Sequence, residues 1–200
     1  MKVVAVTCTL LLLQLVGAQY GEEPDETAPY SVTRVEQDYE ERVYQPAKWV
    51  CHDNPKNSYS SSSQRKSFFA LFRYITGSNE QKEEMPMTSP VTMLAQMQPD
   101  GSKRYQMCFY LPEAHQAAPP APTNKGVYIE ERPAHTVLTR TFGGYAMRES
   151  VWESQAKILK ESLQAAEETG VDFLSFYSAG YDSPMKLTDR RNEVWYVKKN

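Results

Sequence analysis

Glu40-Glu41-Arg42 returns 90 residues later as Glu130-Glu131-Arg132. Thr76-Gly77 returns after 93 as Thr169-Gly170, and Ser89-Pro90 after 94 as Ser183-Pro184. Each match alone is trivial. Three in order, with offsets drifting by only four residues, imply two halves of one pseudo-symmetric domain. A duplicated half-domain has a seam, and ligands favour crevices between packed units.

The chain starts with a targeting pattern. Lys2 is followed by residues 3–16, broken only by Thr7, Cys8, Thr9 and Gln14. Val16-Gly17-Ala18 then places small residues where a signal peptidase reads, so a secretory signal over residues 1–18 is expected, with cleavage after Ala18. The stretch is shorter than the ~20 residues of a membrane span, and no other segment is apolar enough for stable membrane insertion. Removing 18 residues from 200 leaves 182, enough for a single domain with a core. Losing Lys2 takes the basic count from 22 to 21 against 25 acidic residues, a net charge of −4. That acidity argues against nucleic acid as a partner, since phosphate binding needs a basic face.

Cys8 leaves with the signal, so Cys51 and Cys108 remain as an even pair in an oxidising compartment. Two readings stand: a disulfide, or two small buried residues on neighbouring strands. No Asn-x-Ser/Thr sequon occurs.

Residues 19–30 are acidic and broken by Pro24 and Pro29, which predicts a disordered mature N-terminus. Residues 31–200 then form one domain, with half-repeats at about 31–111 and 127–200. Residues 39–51 read as a strand pair or bent strand, with Tyr39, Val43, Trp49 and Val50 inward. Residues 63–76 read as a helix, with Phe68, Leu71, Phe72 and Ile75 at i, i+3, i+4, i+7, capped by Ser62 or Ser63 and stopped by Gly77. Residues 91–97 and 105–111 follow as strands around an Asp100-Gly101 turn. Residues 112–123 read as an extended Pro/Ala linker between the halves. The second half repeats the plan: strands 127–131 and 136–142, a helix 149–168, a strand 173–177, a turn 178–183 and a strand 194–198. Strand, strand, helix, strand, strand, twice over, is an α+β layer solution.

Tyr39-Glu40-Glu41-Arg42, Ala47-Lys48-Trp49-Val50, Met87-Thr88-Ser89-Pro90-Val91-Thr92, Phe142-Gly143-Gly144-Tyr145, the 180–186 segment Gly-Tyr-Asp-Ser-Pro-Met-Lys and Arg191-Asn192-Glu193-Val194-Trp195 together resemble the SOUL, or haem-binding protein, family. The likeness runs from about Tyr39 to Lys198. It implies a distorted antiparallel β-barrel of two βαβ-type repeats with a long helix on each flank. It also implies an open surface pocket for haem or another tetrapyrrole, formed by the first helix and the loop before the last strand. Cations at the positions of Arg65, Arg73 and Lys186 would face the propionates.

The residues suit that chemistry. A tetrapyrrole is a flat apolar plate with carboxylates on one edge, so it needs an apolar face and cations at a rim. Phe68 and Phe72 share a helical stripe, Arg65 and Arg73 flank it, and Met85 and Met87 offer an adaptable wall. The blander reading makes both phenylalanines core and the arginines solvated flanks.

Some members of the family carry a His in the segment matching Arg42-Val43-Tyr44, and this chain has Val43, which binds no metal. His52, His115 and His135 lack ligand spacing, and Cys-x-x-Cys-His is absent. Haem is therefore expected to be held non-covalently, without a strong axial ligand, and metal-free porphyrin to be accepted as well. No catalytic set emerges. Neighbouring Glu40 and Glu41, like Glu130 and Glu131, point to opposite faces of a strand, and Asp182 with Arg190 and Arg191 reads as a structural ion cluster. The expectation is a secreted, monomeric, non-enzymatic tetrapyrrole carrier or scavenger. The alternative is an extracellular module for another amphipathic molecule or a protein partner, with a vestigial pocket.

Overall fold

The computed structural model describes residues 26–183 and 185–199, so the expected signal and residues 19–25 lie outside the described residues. Nine strands form one antiparallel sheet: β2 Tyr30–Val35, β3 Glu40–Tyr44, β4 Ala47–Asp53, β6 Val91–Met97, β7 Lys103–Tyr110, β8 Val127–Arg132, β9 His135–Phe142, β10 Ser175–Gly180 and β11 Asn192–Val197. Their order is β2-β3-β9-β11-β10-β6-β7-β4-β8. A separate parallel pair joins β1 Glu26–Thr27 to β5 Thr88–Ser89. One buried cluster gathers Tyr44 of β3, Val137 of β9, Trp195 of β11 and Trp49 of β4, so the sheet curls around this face as a distorted barrel. On the other face, α1 Ser61–Ile75 packs on β4, β7 and β8, and α3 Glu149–Ala165 packs on β9 and β11.

The doubling is real in the register. Exchanging β3 with β8, β9 with β4, β11 with β7 and β10 with β6 maps that run of eight strands onto itself. Rungs follow: Glu40↔Thr139 matches Glu130↔Trp49, Ser178↔Val194 matches Val91↔Phe109, and Thr141↔Glu193 matches Cys51↔Cys108. The first sequence echo thus marks equivalent positions with equivalent jobs. A spacing of two puts Glu and Arg on one strand face. Glu40 pairs with Arg42 at 2.7 Å, and Arg42 lies 4.4 Å over the Tyr30 ring. Glu130 pairs with Arg132 at 2.7 Å, and Arg132 lies 4.3 Å over the Trp49 ring. The second echo falls after α1 and α3 and both glycines are left-handed, but only Gly77 (φ 96°) directly follows the cap of its helix and ends it, whereas Gly170 (φ 71°) lies further on, beyond the left-handed Glu167. The third echo is coincidence: Ser89 precedes β6, whereas Ser183 follows β10, the counterpart of β6.

Cys51 and Cys108 sit opposite each other on one β4–β7 rung and are bridged, with S–S 2.10 Å and Cα–Cα 4.2 Å. Both are fully buried.

Several boundaries move, each for a local reason. The N-terminus orders earlier than its composition suggests, because Ala28 is buried and its N–H donates to the Ser89 carbonyl at 2.9 Å. The cap of α1 is Ser60, whose Oγ accepts from the Ser63 N–H at 3.3 Å, while the Ser63 hydroxyl is turned inward to the Pro55 carbonyl. The segment 112–123 is not a free tether. It contains a helical turn, α2 Glu113–Gln116, and the Gln116 side chain bonds both the N–H and the carbonyl of Lys48. Further along, the Pro120 carbonyl accepts from Tyr74 Oη and the Ala121 carbonyl from the Glu80 N–H, each at 2.9 Å. Helix α3 ends at Ala165 rather than 168, because Glu167 turns left-handed (φ 55°) and the Glu168 carboxylate is drawn to Arg34 and Lys198. Strand β10 runs on to Gly180, through residues read as a turn, because β6 supplies partners as far as Val91.

Candidate functional site

The buried row of α1 is Ser63, Ser67, Ala70, Leu71, Tyr74 and Ile75. That row is rotated from the apolar stripe read in the sequence. Phe68 and Phe72 therefore fall at its edge, half-buried and packed against the core from outside with Met87 and Val91. Their rings stack at 5.8 Å with 17° between planes, and Phe68 sits edge-on to Phe109 at 5.3 Å. Phe69 is 50% exposed and meets both rings edge-on. It joins the aromatic cluster although periodicity rejects it, because it lies off the stripe. The only sequence signal for it is the Phe68-Phe69 doublet.

Asn79 holds the methionine segment in place. It is buried, donates to the carbonyls of Tyr74 (3.0 Å) and Glu83 (2.7 Å), and accepts from the Glu83 N–H. The Met85 N–H then donates to the Ile75 carbonyl at 2.7 Å. This folds the segment back on α1. Met85 is only 4% exposed and lies in the core beneath the face, so it is a floor residue rather than the wall expected of it. Met87 remains half-exposed beside the rings.

Arg65 and Arg73 are exposed, one turn before Phe68 and next to Phe72, and among the described residues neither is ion-paired. Lys186 stands differently. It lies in the loop after β10, whose last residue Gly180 pairs with Val91 of the aromatic face. Its ammonium is 2.6 Å from Asp182 Oδ1, and its carbonyl accepts from Tyr145 Oη and Arg190 Nη1. A ligand carboxylate would have to compete with Asp182 for it. The structure thus gathers Phe68, Phe72 and Met87, flanks them with two free guanidinium groups, and leaves the third cation engaged.

The ion cluster at the last strand has a centre the sequence reading missed. Asp182 takes Lys186 and the Arg191 N–H, but the Arg191 guanidinium goes to Glu193, at 2.7 Å. Glu193 is fully buried, bidentate to Arg42 at 3.0 Å, and accepts from Tyr181 Oη and Trp195 Nε1 at 2.8 Å each. Burial pushes this carboxyl up, but Arg42 and Arg191 outweigh it and hold it below the usual carboxylate range. Burial and the Glu193 charge push the Tyr181 hydroxyl far up, so it stays a donor. The loop that carries Lys186 is thereby anchored at both of its ends.

The histidines are elsewhere engaged. His52 Nδ1 is 3.0 Å from Ser67 Oγ on the core side of α1, His115 meets Glu83 at 3.1 Å, and His135 stacks on Tyr44 at 5.5 Å. Val43 lies in β3, with five strands between β3 and β4 in the sheet. Burial lowers the His52 and His135 imidazoles. Glu168 is depressed to about 2: burial raises it, but Arg34, Lys198 and Tyr39 outweigh that.

These shifts fix the sign of the acid response. The unfolded chain takes up protons at His52 and His135 from about 6.5 and at Glu168 from about 4.5, before the folded chain does. The contribution of these groups is therefore complete just above 6.5. It slips as pH falls through that value and drops steeply between about 4.5 and 2. A melting series from pH 8 to 3 should show a flat top and then a decline, and a Tm that rises on acidification would refute the assignment.

With that geometry in place, the comparison with known proteins is direct. Residues 25–197 match the family described as SOUL heme-binding protein. The chain belongs to the SOUL family. It is 35% identical to Heme-binding protein 2 of Homo sapiens over 189 residues, covering 92% of this chain and 89% of that protein. It is 36% identical to Heme-binding protein 1 of Mus musculus over 162 residues, covering 80% and 84%. Among solved structures, the EcmrR C-terminal domain superposes with a TM-score of 0.56 at 13% identity, covering 86% of this chain and 99% of that one. SAV2435 bound to tetraphenylphosphonium superposes at 0.51 and 10% identity, covering 82% and 95%. At such identities these two likenesses speak for the SOUL fold alone.

Proposed function

We propose that this SOUL protein is a secreted, non-catalytic binder of haem or a related tetrapyrrole, acting as a monomeric carrier or scavenger. The observation that carries the reading is the half-exposed stack of Phe68 and Phe72 on the edge of α1, with free Arg65 and Arg73 beside it. A ring plate would cover Phe68, Phe69, Phe72 and Met87, and its propionates would meet the guanidinium groups. Covering such surface is worth about 25 cal/mol per Å². The residue chemistry fits a porphyrin ring better than it fits iron. The face offers a Met87 thioether but no imidazole, since each histidine is engaged away from it. No helix among the described residues is long and apolar enough to cross a membrane. The expected signal over residues 1–18 supports export, and mass analysis of the secreted chain should find Gln19 at its N-terminus.

An absorbance titration with haemin tests the site. Phe72→Asp should weaken binding at least tenfold, because a buried phenylalanine contributes about 1.5–3 kcal/mol and tenfold is about 1.4. Arg65→Glu should weaken it by a smaller factor, about threefold to fivefold, since exposed ion pairs are worth about 1 kcal/mol or less. Protoporphyrin IX should bind within a few-fold of haemin. Unchanged affinity in both variants would move the reading to a protein-interaction module, and binding of the iron form alone would mean a ligand to iron exists.

A further inference from the structure

The pseudo-two-fold that relates the halves also relates their surfaces. With the buried rows superposed, Ser63, Ser67, Ala70 and Tyr74 of α1 on Trp152, Ala156, Leu159 and Leu163 of α3, Phe68 and Phe72 of α1 correspond to Lys157 and Glu161 of α3. Met87 lies four residues before Val91, and Leu174 four before Ser178, the counterpart of Val91. The loop 181–191 before β11 corresponds to the β6–β7 turn before β7. The mirror position of the aromatic face is therefore bounded by α3, the segment 173–176 and the β6–β7 hairpin. A cleft of about 350 Å³ lies there, lined by residues of all three.

Its floor is apolar: Ala95, Phe176 and Tyr196, with Phe173 edge-on to Tyr196 at 5.1 Å. Met97 and Leu174 stand at its mouth, and Leu174 is 67% exposed. Its charged lining is three lysines against one glutamate. Lys103 is shared between that glutamate, Glu153, and Glu149 at 3.0 Å, so this trio at one end of the cleft is spent as an ion group with one carboxylate in excess. Lys157 and Lys160 remain. Lys157 has only a loose, exposed partner in Glu161 at 3.8 Å, a pairing worth little in water. Lys160 lies 5.2 Å over the Phe173 ring.

We infer that this cleft is a second ligand site, for a small aromatic anion. The rings and aliphatic groups would take the apolar body, and Lys157 and Lys160 the charge. Its volume lies near the lower end of ligand pockets, about 300–1,000 Å³, which suits a molecule smaller than a tetrapyrrole. Duplication thus leaves two unlike sites: an aromatic face with arginines on α1, and a smaller lysine-rimmed cleft on α3.

The test uses two probes that differ by one charge, 8-anilinonaphthalene-1-sulfonate and neutral N-phenyl-1-naphthylamine, read by fluorescence. Phe72→Asp serves as background, so that the α1 face is disabled and a failure there is not mistaken for a failure here. The sulfonate should bind that variant with a stoichiometry of one. Adding Lys157→Gln and Lys160→Gln should weaken it at least fivefold and change the neutral probe less than twofold. Circular dichroism should show the helices intact, as neither lysine belongs to the buried row of α3. Sulfonate binding unchanged by the lysine substitutions, equal loss of both probes, absence of binding, or binding abolished by Phe72→Asp alone would each overturn the inference.

Discussion

Glu193→Gln should destabilise the protein by about 3–5 kcal/mol, the cost of removing one member of a buried ion group. The carboxylate is wholly buried and accepts two bonds from Arg42 and two from Arg191. Arg42 is itself only 3% exposed. Without the carboxylate, Arg42 keeps Glu40, but the second guanidinium loses its only ion pair among the described residues. For a chain of this size 1 kcal/mol moves Tm by about 2–4 °C, so a fall of roughly 10 °C is expected by calorimetry. The acid response supplies a second readout. Glu193 titrates below the usual carboxylate range in the fold, so it stabilises above about 4.5 and loses that contribution as pH falls. The variant should lose stability less steeply in acid than the parent. A loss under about 1 kcal/mol, or an unchanged acid slope, would mean the arginines find other partners.

The same substitution bears on function through Tyr181 and Arg191, which bracket the loop carrying Lys186. Both use Glu193 as acceptor. A structural centre in one half of the sheet thus positions the loop that carries Lys186.

What the sequence displays is what repeats or alternates. The doubling was legible from Glu-Glu-Arg because each Arg must reach an aromatic ring and its Glu on one strand face. The two helices were legible from their apolar spacing. The third echo misled, since Ser-Pro recurs in turns for reasons unrelated to symmetry. Periodicity also placed Phe68 and Phe72 in the same class as Leu71, because it cannot see that α1 is rotated until the helix meets β4 and β7. Buried serines at 63 and 67 cause that rotation to be missed. Ser67 is inside because it bonds Asn54 Oδ1 at 2.7 Å and His52, groups that only the fold brings near. Glu193 was invisible for a related reason: a glutamate within an apolar strand reads as an exposed residue until arginines from β3 and the last loop are seen around it.

The largest remaining effect belongs to the disulfide. Replacing both cysteines by alanine should cost about 4 kcal/mol, from the entropy released when a link across 57 residues is removed from the unfolded chain. The bridged rung joins β4 to β7, the strands on which α1 lies, while the matching rung in the other half is Thr141↔Glu193. The two halves therefore close with different chemistry at one equivalent position, a covalent bond on the barrel-interior face of β4 and β7 in one and an ionic hub in the other. Loss of the bridge should lower Tm by roughly 10 °C. It should leave the acid slope as it is, because no titrating group is removed, and should weaken haemin at the α1 face more than the sulfonate at the α3 cleft. Dithiothreitol should act on the parent only under unfolding conditions, as both sulfurs are shielded from solvent. A double variant that melts within about 2 °C of the parent would show that strand pairing alone holds β4 to β7.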